Sequence, residues 1–539
     1  QAPCRALLQR RDRCSSAIFV VSLLYSEARF IPSITMRPTL LLLAAFLTPS
    51  TTAQQVAIVE MGAYPGVTST IGGTLFIEQA SGQPMISVRG FLTGLEASVA
   101  SGGWHIHTGF TCETAEDVGG HYFPRMVEDP WDAITYSSNP LGIAEISKTV
   151  TAFSLVGVNP VSGRAVVVHD SSGARVGCGL IKPFLGELVD FATYPGATNN
   201  IKGLLGVSTS PTTGALSFTG TLTGLQASST GGWHVHSGYS CSTSTANAAA
   251  DSYGPPHYGD SLDPLAPPTV DPWSTTQYTA DTSGAAQISY TIADFSLWEG
   301  SWPVIGHAIV VHAQGGPRAA CGIIGTPQMG LVTMGVYPDA AVTDPGPKGT
   351  LRVMYDKLSD KLHIDGIVSG LDAGSVGGWH VHSGFQCSAD NSITGGHYPT
   401  TGDYPDDAWK PLAYAANGDG VAHVSAVVDG FSLTGTQPVL GRAVVFHNGA
   451  GDRVGCGIIR AFNGEIVTLS KYVTYTGTQN IHGMLAVSSY GLNSLMVTGS
   501  IAGLQADATG GWHIHTGYSC DVGNSVVGGH YNLPNGVDP

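Results

Sequence analysis

Of the 19 histidines in this 539-residue chain, 15 fall at recurring places. The pair His-x-His occurs four times, as His105/His107, His234/His236, His380/His382 and His513/His515. Side chains on an extended strand alternate between faces, so both imidazoles of each pair project from one face. A third histidine follows each pair: His121 after Gly119-Gly120, His257 after Pro255-Pro256, His397 after Gly395-Gly396, and then His530. A fourth (His169, His312 or His447) ends a β-branched run such as Gly163-Arg-Ala-Val-Val-Val-His169. Four imidazoles without a thiolate suit copper, and also zinc. One His-x-His alone is better explained by packing, but four histidines repeated in register are not.

These histidines are carried by a long internal repeat. Four segments run from a Gly-Leu turn into Gly-Gly-Trp-His-(Ile/Val)-His, marked by Trp104, Trp233, Trp379 and Trp512. The spacings of 129, 146 and 133 residues between them are those of whole domains in tandem, far beyond the roughly 20–50 residues of a solenoid unit. Each module opens with a short strand and a turn at Tyr64-Pro65, Tyr194-Pro195, Tyr337-Pro338 or Tyr475-Thr476. Short β-branched runs bounded by turn formers, with 72 glycines and 31 prolines in the chain, predict an all-β fold of sandwiches or barrels. Helical periodicity is weak. The expected layout is modules at 54–182, 183–326 and 327–460 and a truncated fourth at 461–539, joined by short linkers.

Composition narrows the function further. Hydrophobic residues make up 42% and charged residues 12%, a globular balance. A net charge of -16 gives nucleic-acid binding no electrostatic support, and no membrane span is read in the body of the chain. Met36-Arg37, the apolar run Leu40–Leu47 and Thr51-Thr52-Ala53 have the order of a secretory signal peptide over 36–53, with 1–35 read as a non-native leader. Six of the basic and two of the acidic residues lie before residue 54, so the remainder carries -20. Each of the first three modules holds one early and one late cysteine: Cys112 and Cys178, Cys241 and Cys321, Cys387 and Cys456. That placement reads as one disulfide per module in an oxidising, extracellular compartment. Closing such a loop stabilises a module by roughly 4 kcal/mol.

Taken in order, Gly-Gly-Trp-His-Ile-His, Cys112, Gly-Gly-His121, Gly-Arg-Ala-Val-Val-Val-His169 and Arg175-Val-Gly-Cys178-Gly resemble the Cu/Zn superoxide dismutase family. The resemblance runs from about residue 54 to the end. It implies an eight-stranded Greek-key β-barrel in each module, with the histidines as copper ligands, one copper per complete module. It implies that His121, His257 and His397 hold the position that bridges copper and zinc. Arg175, Arg318 and Arg453 match the residue that guides superoxide, the implied substrate and partner.

The departures are equally regular. No histidine stands between His121 and His169, where the family's zinc ligands belong. His307 fills the slot of Arg164 and Arg442, and His423 lies in a strand-like run. Only five residues separate His169 from Arg175, so the family's long electrostatic loop is missing. Zinc is therefore not expected, and the pattern is similar to that of copper-only superoxide dismutases and their tandem repeat proteins. A recurring aspartate (Asp129, Asp271, Asp407, and Asp538 near the end) has two readings. It orients the third histidine in place of zinc, or it forms an Asp-Pro turn beside a core tryptophan. The expected function is extracellular dismutation of superoxide. The alternatives are a non-catalytic copper-binding or buffering protein and a matrix repeat array that uses the modules as spacers. Oligomeric state is left open by the sequence.

Overall fold

A computed structural model describes residues 55–531, apart from 80–82, 125–127, 211, 242–256, 260–270, 299–301, 328, 343–345, 358, 399–406, 435–436, 491–493, 507, 518 and 521–526. The leader, the signal-peptide segment and Asp538 lie outside the described residues. No described helix is long and apolar enough to cross a membrane.

The chain is a series of antiparallel β modules, as the dense turn formers and short β-branched runs require. In the second module eight strands form one continuous sheet. Their order across it is Gln277–Thr279, Thr230–His236, Ala308–His312, Arg318–Ile323, Gly186–Thr193, Lys202–Thr209, Leu216–Thr223 and Ala286–Ile292. The first strand in sequence thus lies beside the last, and the meander Gly186–Thr223 continues into a strand reached by a long crossover. This is the Greek-key connection that nearly closes the sheet into a barrel. The third module repeats the order with eight strands, and the first presents it as two five-stranded sheets. Three strands of a fourth module, Glu465–Ser470, His482–Tyr490 and Ser494–Ala502, form a meander.

Inside each barrel, alternate strand residues fill the core with Val, Ile, Leu and two fully buried tryptophans: Trp104 and Trp131, Trp233 and Trp273, Trp379 and Trp409. Disulfides join Cys112 to Cys178, Cys241 to Cys321 and Cys387 to Cys456, each tying a loop to a strand of its own barrel.

Neighbouring modules meet in two alternating ways. Modules 1 and 2 pack sheet face on sheet face, with Phe76, Phe91 and Ile58 against Leu204, Phe184 and Leu188. Arg89 pairs with Asp190 at 2.7 Å and Lys202 with Glu145 at 2.8 Å across this face. The equivalent strands of modules 3 and 4 face each other in the same way, and the rings of His423 and His482 stand 5.2 Å apart there. Modules 2 and 3 instead meet through loops, where Tyr239 of module 2 packs into the core of module 3.

Candidate metal centre

The Gly-Gly-Trp-His-x-His motif builds the floor of the site. In module 1 the strand Gly102–Ile106 pairs with Ala165–His169, setting His105 opposite Val167. The ring of His105 folds back over Gly103, where a Cβ would lie 2.7 Å from its Cε1. The same approach of 2.7 Å recurs at Gly232, Gly378 and Gly511, which explains why the second glycine of the motif is needed. His107 continues the strand and forms a bridge with His121. His169 lies at a register shift after Val168, paired with Arg175. The shift recurs at His312 and His447. A bulge of this kind re-aims the side chain, and here it turns the fourth imidazole toward the other three.

The outcome is three clusters of four: His105, His107, His121 and His169; His234, His236, His257 and His312; and His380, His382, His397 and His447. Within each, one nitrogen per ring lies within 4.8 Å of all the others. His513, His515 and His530 form a fourth, three-membered group on the same criterion. Every histidine proposed as a ligand from sequence is therefore placed in a cluster, while His307 and His423 lie elsewhere. His307 is buried between the rings of Tyr239 and Tyr258, at 4.2 and 3.8 Å, and its Nδ1–H donates to the carbonyl of His236.

Hydrogen bonds fix which nitrogen each ring presents. The Nδ1–H of His107 donates to the carbonyl of Gly119 at 3.0 Å, and that of His169 to Gly173 at 2.9 Å. Gly119 has φ +70°, a backbone setting that favours glycine and aims this carbonyl at the ring. These bonds leave Nε2 of His107 and His169 bare, and His105 offers Nδ1. All three atoms are buried with no hydrogen-bond partner, and so are His234 Nδ1 and His312 Nε2 in module 2 and His380 Nδ1 in module 3. In module 3 the Nε2 atoms of His382 and His447 face each other at 3.3 Å. Several buried, unpaired nitrogens converging on one point would be costly in a merely structural core, and they fit a metal that accepts neutral imidazole.

Electrostatics agree. Burial, aided by the neighbouring imidazoles, lowers the pKa of His105 and His234 to about 3 and that of His380 to about 4. Burial likewise outweighs the glycine carbonyls and takes His107 to about 4 and His382 to about 3, with the nearby arginine contributing. His169, His312 and His447 are lowered for the same first reason. These donors are neutral at pH 7, so a metal need not displace a proton from them.

Asp129 stands behind the third histidine. The Nδ1–H of His121 donates to its Oδ2 at 2.6 Å, while Oδ1 accepts the backbone N–H of Trp131 at 2.9 Å. The indole of Trp131 in turn donates to the carbonyl of Tyr122 at 2.6 Å. Asp271 and Asp407 repeat the arrangement on His257 and His397, at 2.6 and 2.5 Å. The two readings of this aspartate are thus one device: the turn that seats the core tryptophan also holds a carboxylate on the imidazole. Module 1 adds Asp132, 3.8 Å from His121, where module 2 has Ser274 and module 3 Lys410.

The arginines flank the clusters and are half-buried. Arg175, Arg318 and Arg453 each donate from Nη1 to a tyrosine hydroxyl, Tyr64, Tyr194 and Tyr337, at 2.9, 2.9 and 3.0 Å. Arg453 also reaches the carbonyl of Gly395 at 2.6 Å, the same oxygen that accepts from His382. A second tyrosine, Tyr136 or Tyr278, donates to the carbonyl of the fourth histidine at 2.9 or 3.0 Å. Sequence reasoning missed both tyrosines. The first was read only as a turn residue, although its return in every repeat was the available signal.

Comparisons with known proteins meet this geometry. A model of the copper/zinc superoxide dismutase family matches residues 201–324 and 347–459, the bodies of modules 2 and 3. Superoxide dismutase [Cu-Zn] 2 of Mesembryanthemum crystallinum is 32% identical over 152 residues, an alignment covering 96% of that protein and 23% of this chain. The chain belongs to the Cu/Zn superoxide dismutase family. Its Greek-key barrels are those of the family, and the family implies copper at the histidine clusters.

Proposed function

We propose that the chain is an extracellular superoxide dismutase that works with copper alone, one ion in each of the three four-histidine pockets. The observation that carries this reading is the convergence of four imidazoles with an anchored arginine alongside, repeated three times. A copper ion bound there supplies the one-electron couple by which two superoxide ions and two protons become oxygen and hydrogen peroxide.

The chain's own residues do the rest. Neutral imidazoles hold the ion in a setting that both copper oxidation states accept. The guanidinium of Arg175, steadied by Tyr64, gives the anionic substrate a local positive charge within the 8–10 Å over which such charge acts at physiological salt. Local placement matters here because the net charge opposes long-range attraction. The carboxylate of Asp129 fixes the tautomer of His121 with Nε2 toward the pocket, the orienting task of a second metal in a two-metal site. The extracellular setting is supported by the signal-like segment and by one disulfide in each of three modules.

The test is superoxide decay with copper-loaded, zinc-free protein, beside the triple variant His105→Ala, His234→Ala, His380→Ala. Turnover by the first and not the second is expected. Tight copper binding without turnover would favour a copper-buffering protein, and no copper binding a structural repeat.

A further inference from the structure

The two sheet-face contacts of the chain differ at one pair of equivalent positions. Between modules 1 and 2 the pair is Glu145, in Gly142-Ile-Ala-Glu145, and Lys202, in Asn200-Ile-Lys202-Gly203, joined at 2.8 Å. Between modules 3 and 4 it is His423, in Gly420-Val-Ala-His423, and His482, in Asn480-Ile-His482-Gly483. The strand register agrees: Glu145 lies opposite Phe91 as His423 lies opposite Ile367. Lys202 lies opposite Thr223 as His482 lies opposite Ala502. An ion pair in one contact is thus replaced, on both sides at once, by two imidazoles in the other.

The imidazole pair is not closed by a hydrogen bond of its own. His482 is 8% exposed, and its Nδ1–H donates to the carbonyl of Asn480 at 2.6 Å. The free lone pair of that ring is therefore on Nε2, which is buried with no hydrogen-bond partner. A bare acceptor in such a setting calls for a ligand. The ring of His423 stands 5.2 Å away across the module boundary and is open to solvent, which gives an ion and its waters a way in. Ring pairs inside the pocket of module 1 span 4.3 to 6.4 Å, so the spacing is one at which two imidazoles of this chain converge on a single point. An ion about 2.0–2.1 Å from each nitrogen fits between rings so placed.

We infer that His423 and His482 form a further metal site, in which one divalent ion is held between modules 3 and 4 by two imidazoles and water. Copper(II) suits it best: it leads the divalent series in affinity for imidazole, and tetragonal coordination accepts two nitrogens with water in the remaining places. Two protein donors hold the ion loosely, with a dissociation constant on the order of 10 µM. Washing therefore removes it while the four-histidine pockets keep theirs. Bound there, the ion ties module 4 to module 3, the part that Lys202 and Glu145 play between modules 1 and 2.

The experiment is hydrogen exchange of the strand His482–Tyr490 in the full chain, its four-histidine pockets already filled with copper and the excess washed away. Adding about 100 µM copper(II) should slow exchange of that strand about tenfold, because the ion binds only the docked modules. His423→Gln, a change at a solvent-open position, should abolish the response. A double variant, His423→Glu with His482→Lys, restores the ion pair of modules 1 and 2. It should exchange at the wild-type rate without copper and not respond to copper, which separates loss of the ion from loss of docking. Exchange that copper leaves unchanged in the wild type would overturn the proposal. So would an equal slowing in His423→Gln or in the double variant, because the ion would then act from the group around His513.

Discussion

The pocket around His105 and the group around His513 share the sequence Gly-Gly-Trp-His-Ile-His, and almost everything around them differs. In module 1, Trp104 is 1% exposed and the strands ending in His169 and beginning at Arg175 close over the site. In module 4, Trp512 is 59% exposed and the three histidines stand near the surface. Yet both bring their donor nitrogens within 4.8 Å, and His515 donates to Gly528 as His107 does to Gly119. The local motif therefore suffices to gather three imidazoles. Burial, the fourth donor and the arginine with its tyrosine come from the strands that close the barrel.

The most forceful way to break this contrast is to remove the fourth donor. His169→Ala should leave module 1 with three imidazole donors, the number described in module 4, and lower its copper affinity by more than the 10–100-fold typical of losing an outer partner. Copper titration followed by electron paramagnetic resonance would show two unaltered sites and one altered. Equal affinity before and after would mean that the fourth histidine is not a ligand.

Acid should act through the closed pockets. An imidazole buried neutral binds a proton less readily in the folded chain than in the unfolded chain, whose histidines titrate near 6.5. Stability of the metal-free protein is therefore full above about pH 6.5 and falls as pH drops toward the folded values of about 3 to 4 at His105, His107, His234, His380 and His382. At pH 5 each such group favours unfolding by on the order of 1–2 kcal/mol. Urea unfolding between pH 7 and 4 checks this, and copper loading should shift the loss to lower pH.

Much of this contrast was legible in the residues. Four histidines in register gave the clusters, and dense turn formers around β-branched runs gave the all-β modules. The aspartate was legible only as two alternatives, because an Asp-Pro turn and a histidine partner leave the same trace in sequence. The tyrosine clamp was not legible: Tyr64 and Arg175 lie 111 positions apart and meet only when the first and last strands of the barrel become neighbours. Nor could sequence tell Phe110 from Tyr239 and Phe385, which share a position and differ in what covers them.

Smaller changes sharpen the comparison. Asp129→Asn keeps an oxygen for the N–H of Trp131 but removes the charge on His121, so copper affinity in module 1 should fall about 10–100-fold with the fold intact. Unchanged affinity would assign the aspartate to the turn alone. Tyr64→Phe, Tyr194→Phe and Tyr337→Phe together should cost each arginine one hydrogen bond. That is worth about 1 kcal/mol, or a several-fold loss of azide affinity at the copper-loaded sites, with copper content unchanged.

The central claim, a copper centre in which a carboxylate stands where a second metal would, is tested most directly by metal analysis. The full chain would be reconstituted in excess copper and zinc together and then stripped of loosely held ions. The account predicts three copper ions per chain, each with a four-nitrogen resonance signature, and no zinc. Zinc retained in step with copper, or fewer than three four-nitrogen sites, would contradict it.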